Sequence, residues 1–237
     1  MELSVTLLII IATAIVSFLA FNNRDVMDKL IFYPPAVSQR NEWYRFFSCG
    51  LIHADIPHLI FNMYALYIFG AGQDYVIEGI KYNTGVESFF VHVFDKAGYF
   101  LYFLMYAGAV GFCMLPSYKK NKDNYYYRSL GASGGVAAVV FAKIIMDPIN
   151  GVGMVFIPVY LAGFLFGILY IYVSYLMDKR QAGNVNHSAH IWGSIFGAVF
   201  IIAICQFTGK YPLLTEFIDK IKNLQLNQII TFGRGGN

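Results

Sequence analysis

Charge is the scarcest commodity in this chain. Asp, Glu, Lys and Arg make up 13% of its 237 residues, about half the share of an ordinary soluble domain. With 57% hydrophobic residues and a mean hydropathy of +0.54, that shortage excludes a soluble globular domain and indicates a membrane protein. Cysteine is scarce too: Cys49, Cys113 and Cys205 are odd in number and far apart, which excludes a disulfide framework. Neither paired cysteines nor an HExxH run occurs, so no metal or other cofactor is expected. The net charge of +3 is spread through loops without a basic run, so no nucleic-acid partner is expected. No cleavage pattern follows the first apolar run, which reads as a retained span and not a leader. There is no internal repeat and no second domain.

What the chain has is long apolar runs. A helix crossing a bilayer needs about 20 such residues, roughly 17 to 25. Six stretches meet or approach this: Leu3–Phe21, Pro57–Gly72, Gly98–Leu115, Leu130–Met146, Met154–Met177 and Ser188–Phe207. Across all six there is no Asp or Glu, and Lys143 is the single basic residue. Backbone groups in lipid must be satisfied within their own segment, so these stretches read as helices. The expectation is an all-α membrane protein, a bundle of six transmembrane helices over residues 1–207, followed by a tail at 208–237. Of the connections, 22–56 is aromatic and expected at the membrane surface, and 73–97 has room for a short interfacial helix.

Against this apolar ground a few polar residues stand out, because ionisable groups inside spans are functional candidates. Ser133 opens the fourth run within Gly131-Ala132-Ser133-Gly134-Gly135. His190 opens the sixth, three residues before Gly193. His58 and Asn62 lie four apart, hence on one helix face, near the start of the second. Each has a plainer reading. Gly131-xxx-Gly135, Gly163-xxx-Gly167 and Gly193-xxx-Gly197 are small-xxx-small spacings that let helices approach closely, and His58 and Asn62 can simply bond to a neighbouring helix. The second, fourth and sixth spans run the same way, however, so all four polar groups fall at one depth. A hydroxyl, an imidazole and amide donors at one level are the parts of a serine acyl-transfer site. With no acid in any span, the unit is a Ser–His dyad whose imidazole is oriented by packing or a hydroxyl.

These motifs, in this order, resemble the rhomboid intramembrane serine proteases: Gly131-Ala132-Ser133-Gly134 opening span four, Ala189-His190-x-x-Gly193 opening span six, and His53-x4-His58-x3-Asn62 leading into span two. The likeness covers about 42–207, the catalytic core of a six-helix rhomboid-like bundle. It implies Ser133 as nucleophile and His190 as general base. The Ser133 N–H, His58 and Asn62 would form the oxyanion hole. His53 would hold the first loop against span two, and Arg45 would match the family's Trp-Arg loop signature, with Tyr44 standing where Trp is expected. Four residues after the serine, where some members carry a tyrosine that stacks on the histidine, this chain has Ala137, so something else must orient His190. The segment 178–187 would be a mobile cap.

The resemblance further implies transmembrane protein substrates, a multi-pass protein in the bilayer of a bacterial inner membrane, and a site facing outward. That orientation puts ten of the seventeen basic residues on the outer face, the reverse of the positive-inside rule. Two other functions stay open on the residues alone: a rhomboid-like pseudoprotease that binds membrane segments uncut, and a small transporter, for which paired charges and an inverted repeat are missing.

Overall fold

The computed structural model describes residues 4–153, 159–180 and 185–232. Helix α1 (Val5–Asn22) is followed by three short helices, α2 (Arg24–Leu30), α3 (Pro34–Arg40) and α4 (Arg45–Ser48). Helix α5 (Ile56–Leu66) runs on through a wider helical turn, Tyr67–Ala71, into a hairpin of β1 (Asp74–Ile77) and β2 (Ile80–Asn83). Then come α6 (Val86–Phe94), α7 (Ala97–Phe112), α8 (Leu115–Asn121) and α9 (Ser133–Met146). Strands β3 (Gly151–Gly153) and β4 (Val159–Ala162) precede α10 (Gly163–Arg180), α11 (His187–Thr208), α12 (Leu213–Lys222) and β5 (Ile230–Phe232).

Three described helical stretches are long and apolar enough to cross a membrane: Val5–Asn22, Ala97–Asn121 and His187–Thr208. Ile56–Ala71 and Ser133–Met146 are shorter apolar helices. Their limits lie within a few residues of five of the six expected runs. The fifth run, Met154–Met177, begins on residues outside the described ones, and its described part differs from expectation. Val159–Ala162 is a strand, antiparallel to both β3 and β5, and the helix begins only at Gly163. A β-branched residue and a tyrosine suit this pleated pairing, and a second sheet neighbour far away in sequence fixes it.

To the helical bundle expected of an all-α membrane protein the structure adds short strands. The bundle is mainly helical, with a two-stranded hairpin and a three-stranded sheet ordered β3-β4-β5 at its margins. The 73–97 connection holds the expected short helix, α6, and also the unexpected hairpin. The tail returns to the bundle: β5 pairs with β4, and Lys220 Nζ donates to the Met146 carbonyl that ends α9, at 2.9 Å.

The main core gathers Leu66, Phe90, Tyr102, Met105, Val139 and Ile201 between the long helices. A smaller one, with Phe32, Val37, Phe46 and Met114, lies beneath the first loop. Phe46 is thus buried in that loop's own core, while Trp43, stacked on it at 5.8 Å, stays exposed. The start of α1 is capped from outside: the buried Glu87 carboxylate of α6 accepts the Ser4 hydroxyl at 2.8 Å and the Val5 and Thr6 N–H groups at 2.7 and 2.9 Å. A carboxylate at a helix start satisfies orphan donors and complements the helix dipole.

Candidate active site

Ser133 is the first residue of α9, and its N-cap, Ala132, supplies no side-chain hydrogen bond. The first-turn N–H groups of this helix therefore have no side-chain cap, a setting that favours negative charge. The turn into the helix depends on Gly131, whose φ of +113° suits glycine alone. Its N–H donates to the Cys49 carbonyl at 2.9 Å. A Cβ there would lie 2.8 Å from His58 Cε1 and 3.0 Å from Nε2. The missing side chain at 131 thus brings the His58 ring against the chain two residues before Ser133.

His190 reaches the same place from α11, which starts under an Asn186 cap accepting from the Ala189 N–H at 3.1 Å. Helices α9 and α11 touch backbone to backbone. A Cβ at Gly193 would collide with the Gly134 carbonyl oxygen, and one at Gly197 with that of Ala138. On α9 the close approach to Gly193 is made by Gly134 and not by Gly131 of the small-xxx-small spacing, because Gly131 precedes the helix. Gly134 also receives Cys113 Sγ, and Gly135 faces Tyr106 and Val110 of α7.

One cavity of about 790 Å³ is lined by Ser133 and His190 together with His58 and Asn62 of α5. It also meets Tyr170 and Phe166 of α10. Asn62 is buried, and its Nδ2 donates to the His58 carbonyl at 3.1 Å, leaving a second amide proton to point elsewhere. Asp55 fixes the start of α5 by accepting the His58 N–H at 2.8 Å. Among the described residues, no hydrogen bond is recorded between Ser133 Oγ and the His190 ring. Catalytic hydrogen bonds often tighten only once substrate is bound.

The His190 ring is flanked by aromatic rings. Tyr170 stacks on it with centroids 6.1 Å apart and planes 20° apart, and His187 meets it edge-on at 5.8 Å. Sequence reasoning missed Tyr170, one of eighteen tyrosines with no motif around it. Asp55 and Asn186 were also missed, although their cap positions ahead of apolar helices were legible.

His53 and Arg45 lie outside the cavity. His53 is fully buried. Its Nδ1 is 3.0 Å from Ser17 Oγ, and its Nε2 accepts the Ala132 N–H at 3.4 Å. Ser17 Oγ donates to the Leu51 carbonyl at 3.0 Å, so one consistent arrangement has Nδ1 protonated and Nε2 bare. That neutral form fits its surroundings, since burial, with the adjacent His58 ring, lowers its pKa to about 4. His53 therefore ties α1 to the turn before Ser133, and its ring packs edge-on against His58 at 4.9 Å. Arg45 is buried and staples the first loop, donating to the Asp28 and Ile31 carbonyls at 2.8 and 2.7 Å and pairing with Glu42. Among the described residues no group of His, Cys, Asp or Glu is gathered as a metal site requires.

The arrangement can present a hydroxyl at a helix start, a neutral imidazole from a fused neighbouring helix, and N–H donors from two directions. A family model described as Rhomboid domain matches residues 40–207. No curated protein matches the chain.

Proposed function

The chain belongs to the rhomboid family of membrane proteins, and on that premise we propose that it is an intramembrane serine endopeptidase. It hydrolyses peptide bonds in or near transmembrane segments of other membrane proteins. The observation that carries this is the single cavity lined by Ser133, His190, His58 and Asn62. Its catalytic core spans about 42–207, with six membrane spans and the cavity mouth facing outward from a bacterial inner membrane.

In this reading the His190 imidazole takes the proton of Ser133 Oγ as the oxygen bonds to the scissile carbonyl carbon. The oxyanion of the tetrahedral intermediate is held by the Ser133 N–H, the Asn62 amide and His58, one such donor contributing about 2.7–4 kcal/mol in other serine proteases. The C–N bond then breaks, and the imidazolium gives its proton to the departing amine. Water, deprotonated by the same ring, releases the acid and restores Ser133. The Tyr170 face and the tight α9–α11 contact orient the imidazole where a carboxylate does so elsewhere. A transmembrane helix must unwind to expose a carbonyl, so segments with small or helix-breaking residues are the expected substrates.

The test is labelling of the membrane-embedded protein by a fluorophosphonate, with cleavage of a model transmembrane substrate followed in parallel. Labelling and cleavage are expected of the natural chain, and both are lost in Ser133→Ala and in His190→Ala. Cleavage undiminished in Ser133→Ala overturns the assignment. The pseudoprotease reading draws on the absence, among the described residues, of a Ser133–His190 hydrogen bond; a natural chain that neither labels nor cleaves would favour it.

A further inference from the structure

The site leaves one exposed element without a role, the β1–β2 hairpin. Its register pairs Asp74 with Asn83, Tyr75 with Tyr82, Val76 with Lys81 and Ile77 with Ile80. Glu78 and Gly79 turn the chain with φ of 52° and 81°, a mirror-image turn that matches the natural twist of paired strands. Polar bonds close the base: Asn83 Nδ2 donates to Asp74 Oδ1 at 2.8 Å, and the Gln73 N–H to Thr84 Oγ1 at 2.9 Å. Beyond them Tyr75 and Tyr82 stack at 5.4 Å. Val76, Ile77 and Ile80 are bare, at 65, 54 and 58% exposure. Tyr75, Ile77, Ile80 and Tyr82 thus share one face of the hairpin, with Val76 on the other face and Glu78 at the turn.

That pattern is wrong for a hairpin held in water. Two four-residue strands alone are marginal there, and unpaired edges bearing Val and Ile invite association. The hairpin's position supplies the cover. A Cβ at Gly72 would strike the Gly85 backbone, and one at Gly85 the Gly70 and Ala71 carbonyls, so the base is clamped to the end of the second span. Gly70 in turn abuts Thr6, in the first turn of α1, where Glu87 caps that helix. Ser17, which meets His53 beside the catalytic turn, is eleven residues further along α1, about 16 Å away. The hairpin therefore leaves the bundle at the membrane edge remote from Ser133. It continues the exposed apolar surface of α5, marked by Ile60, Phe61, Tyr64 and Tyr67.

We propose that the hairpin lies in the headgroup–acyl boundary of the bilayer, on the face opposite the catalytic cavity. Its Tyr75, Ile77, Ile80 and Tyr82 face lies against the lipid, the tyrosine rings at headgroup level, where amphipathic rings are favoured, and Ile77 and Ile80 against the outer acyl layer, while Glu78 at the turn stays among the headgroups. Its occupant is the lipid surface itself, which this membrane chain already contacts through α5. The inference rests on the chain being a membrane protein and not on any chemistry at Ser133, so either can fail without the other.

The experiment places a nitroxide on Ile77→Cys and, separately, on Ile80→Cys in the full chain, in phosphatidylcholine nanodiscs. All three native thiols are buried. Ile60→Cys serves as the lipid-facing reference, and Tyr126→Cys, at 96% exposure in a polar loop, as the aqueous one. Unchanged helical circular dichroism shows that each variant is folded. At 77 and 80, collisions with dissolved oxygen should exceed those with a water-soluble nickel chelate, with ratios between the two references and well above that at 126. Ratios equal to that at 126 put the hairpin in water and overturn the proposal. Exclusion of both quenchers also overturns it, because a second copy or a partner strand then covers the hairpin.

Discussion

On α11, a side chain at Gly193 would run into the Gly134 backbone and one at Gly197 into that of Ala138. On α10, at the same four-residue spacing, a Cβ at Gly167 would find its nearest atom, Ile144 Cδ1, at 3.4 Å, and one at Gly163 would find only carbonyl oxygens at 3.4 Å. The first pair is a seam; the second is ordinary contact. The seam carries the two groups that must keep a fixed relation, Ser133 and His190. The looser side carries Tyr170 and Phe166, which line the cavity and face α5 across it. On the proposed function, rigidity lies where the chemistry would need it, and slack where a substrate segment would enter.

The sharpest way to break this contrast is Gly193→Leu. The obstacle is a backbone carbonyl that cannot swing aside, so the variant should lose about 3 kcal/mol or more of stability and all activity, read by thermal unfolding in nanodiscs and by substrate cleavage. A Leu variant that folds and cuts normally would show that α9 and α11 are not fused.

The next effect tests the anchor behind the seam. Neutral His53 accepts the Ala132 N–H, and burial holds its pKa at about 4, against 6.5 for the ordinary group. The unfolded chain takes up this proton first, so the contribution is complete above pH 6.5 and fades as pH falls towards 4. Its limit is on the order of 3 kcal/mol. Denaturation at pH 7 and pH 4.5 should show a larger acid loss for the natural chain than for His53→Gln.

On the looser side, Tyr170→Ala removes the ring stacked on His190. Such a pair is worth about 0.5–1.5 kcal/mol, so kcat should fall by up to about tenfold with KM little changed, and Tyr170→Phe should retain the rate. A change confined to KM would mean that the ring serves the substrate instead of the imidazole. The smallest effect is Gly167→Ala, which has ordinary contact distances around it and should be neutral or stabilising by up to about 1 kcal/mol in the same unfolding assay.

Much of the site was legible because its parts are local. Gly131 and Ser133 are two residues apart, His58 and Asn62 share one helix turn, and the even spacing of spans two, four and six sets their common depth. The hairpin has a sequence signal too, Glu78-Gly79 between two short apolar runs, which a length-based search for spans does not detect. Tyr170 was not legible, since nothing near it in sequence marks which of its faces meets another helix. The strand at 159–162 was hidden for a similar reason: its partner β5 lies about seventy residues on, and an apolar run before a span reads equally well as helix.

The sequence alone determined that this chain lives in a membrane, where its helices run, and which rare polar groups share a depth, because hydrophobic length and period are properties of each segment taken singly. Only the tertiary structure decided which of three identical glycine spacings became a seam, and which ring stands over His190. It also showed that the tail closes a sheet at the foot of α10. Those outcomes depend on the direction in which one helix meets another, and direction is set by packing among segments that no single stretch of sequence contains.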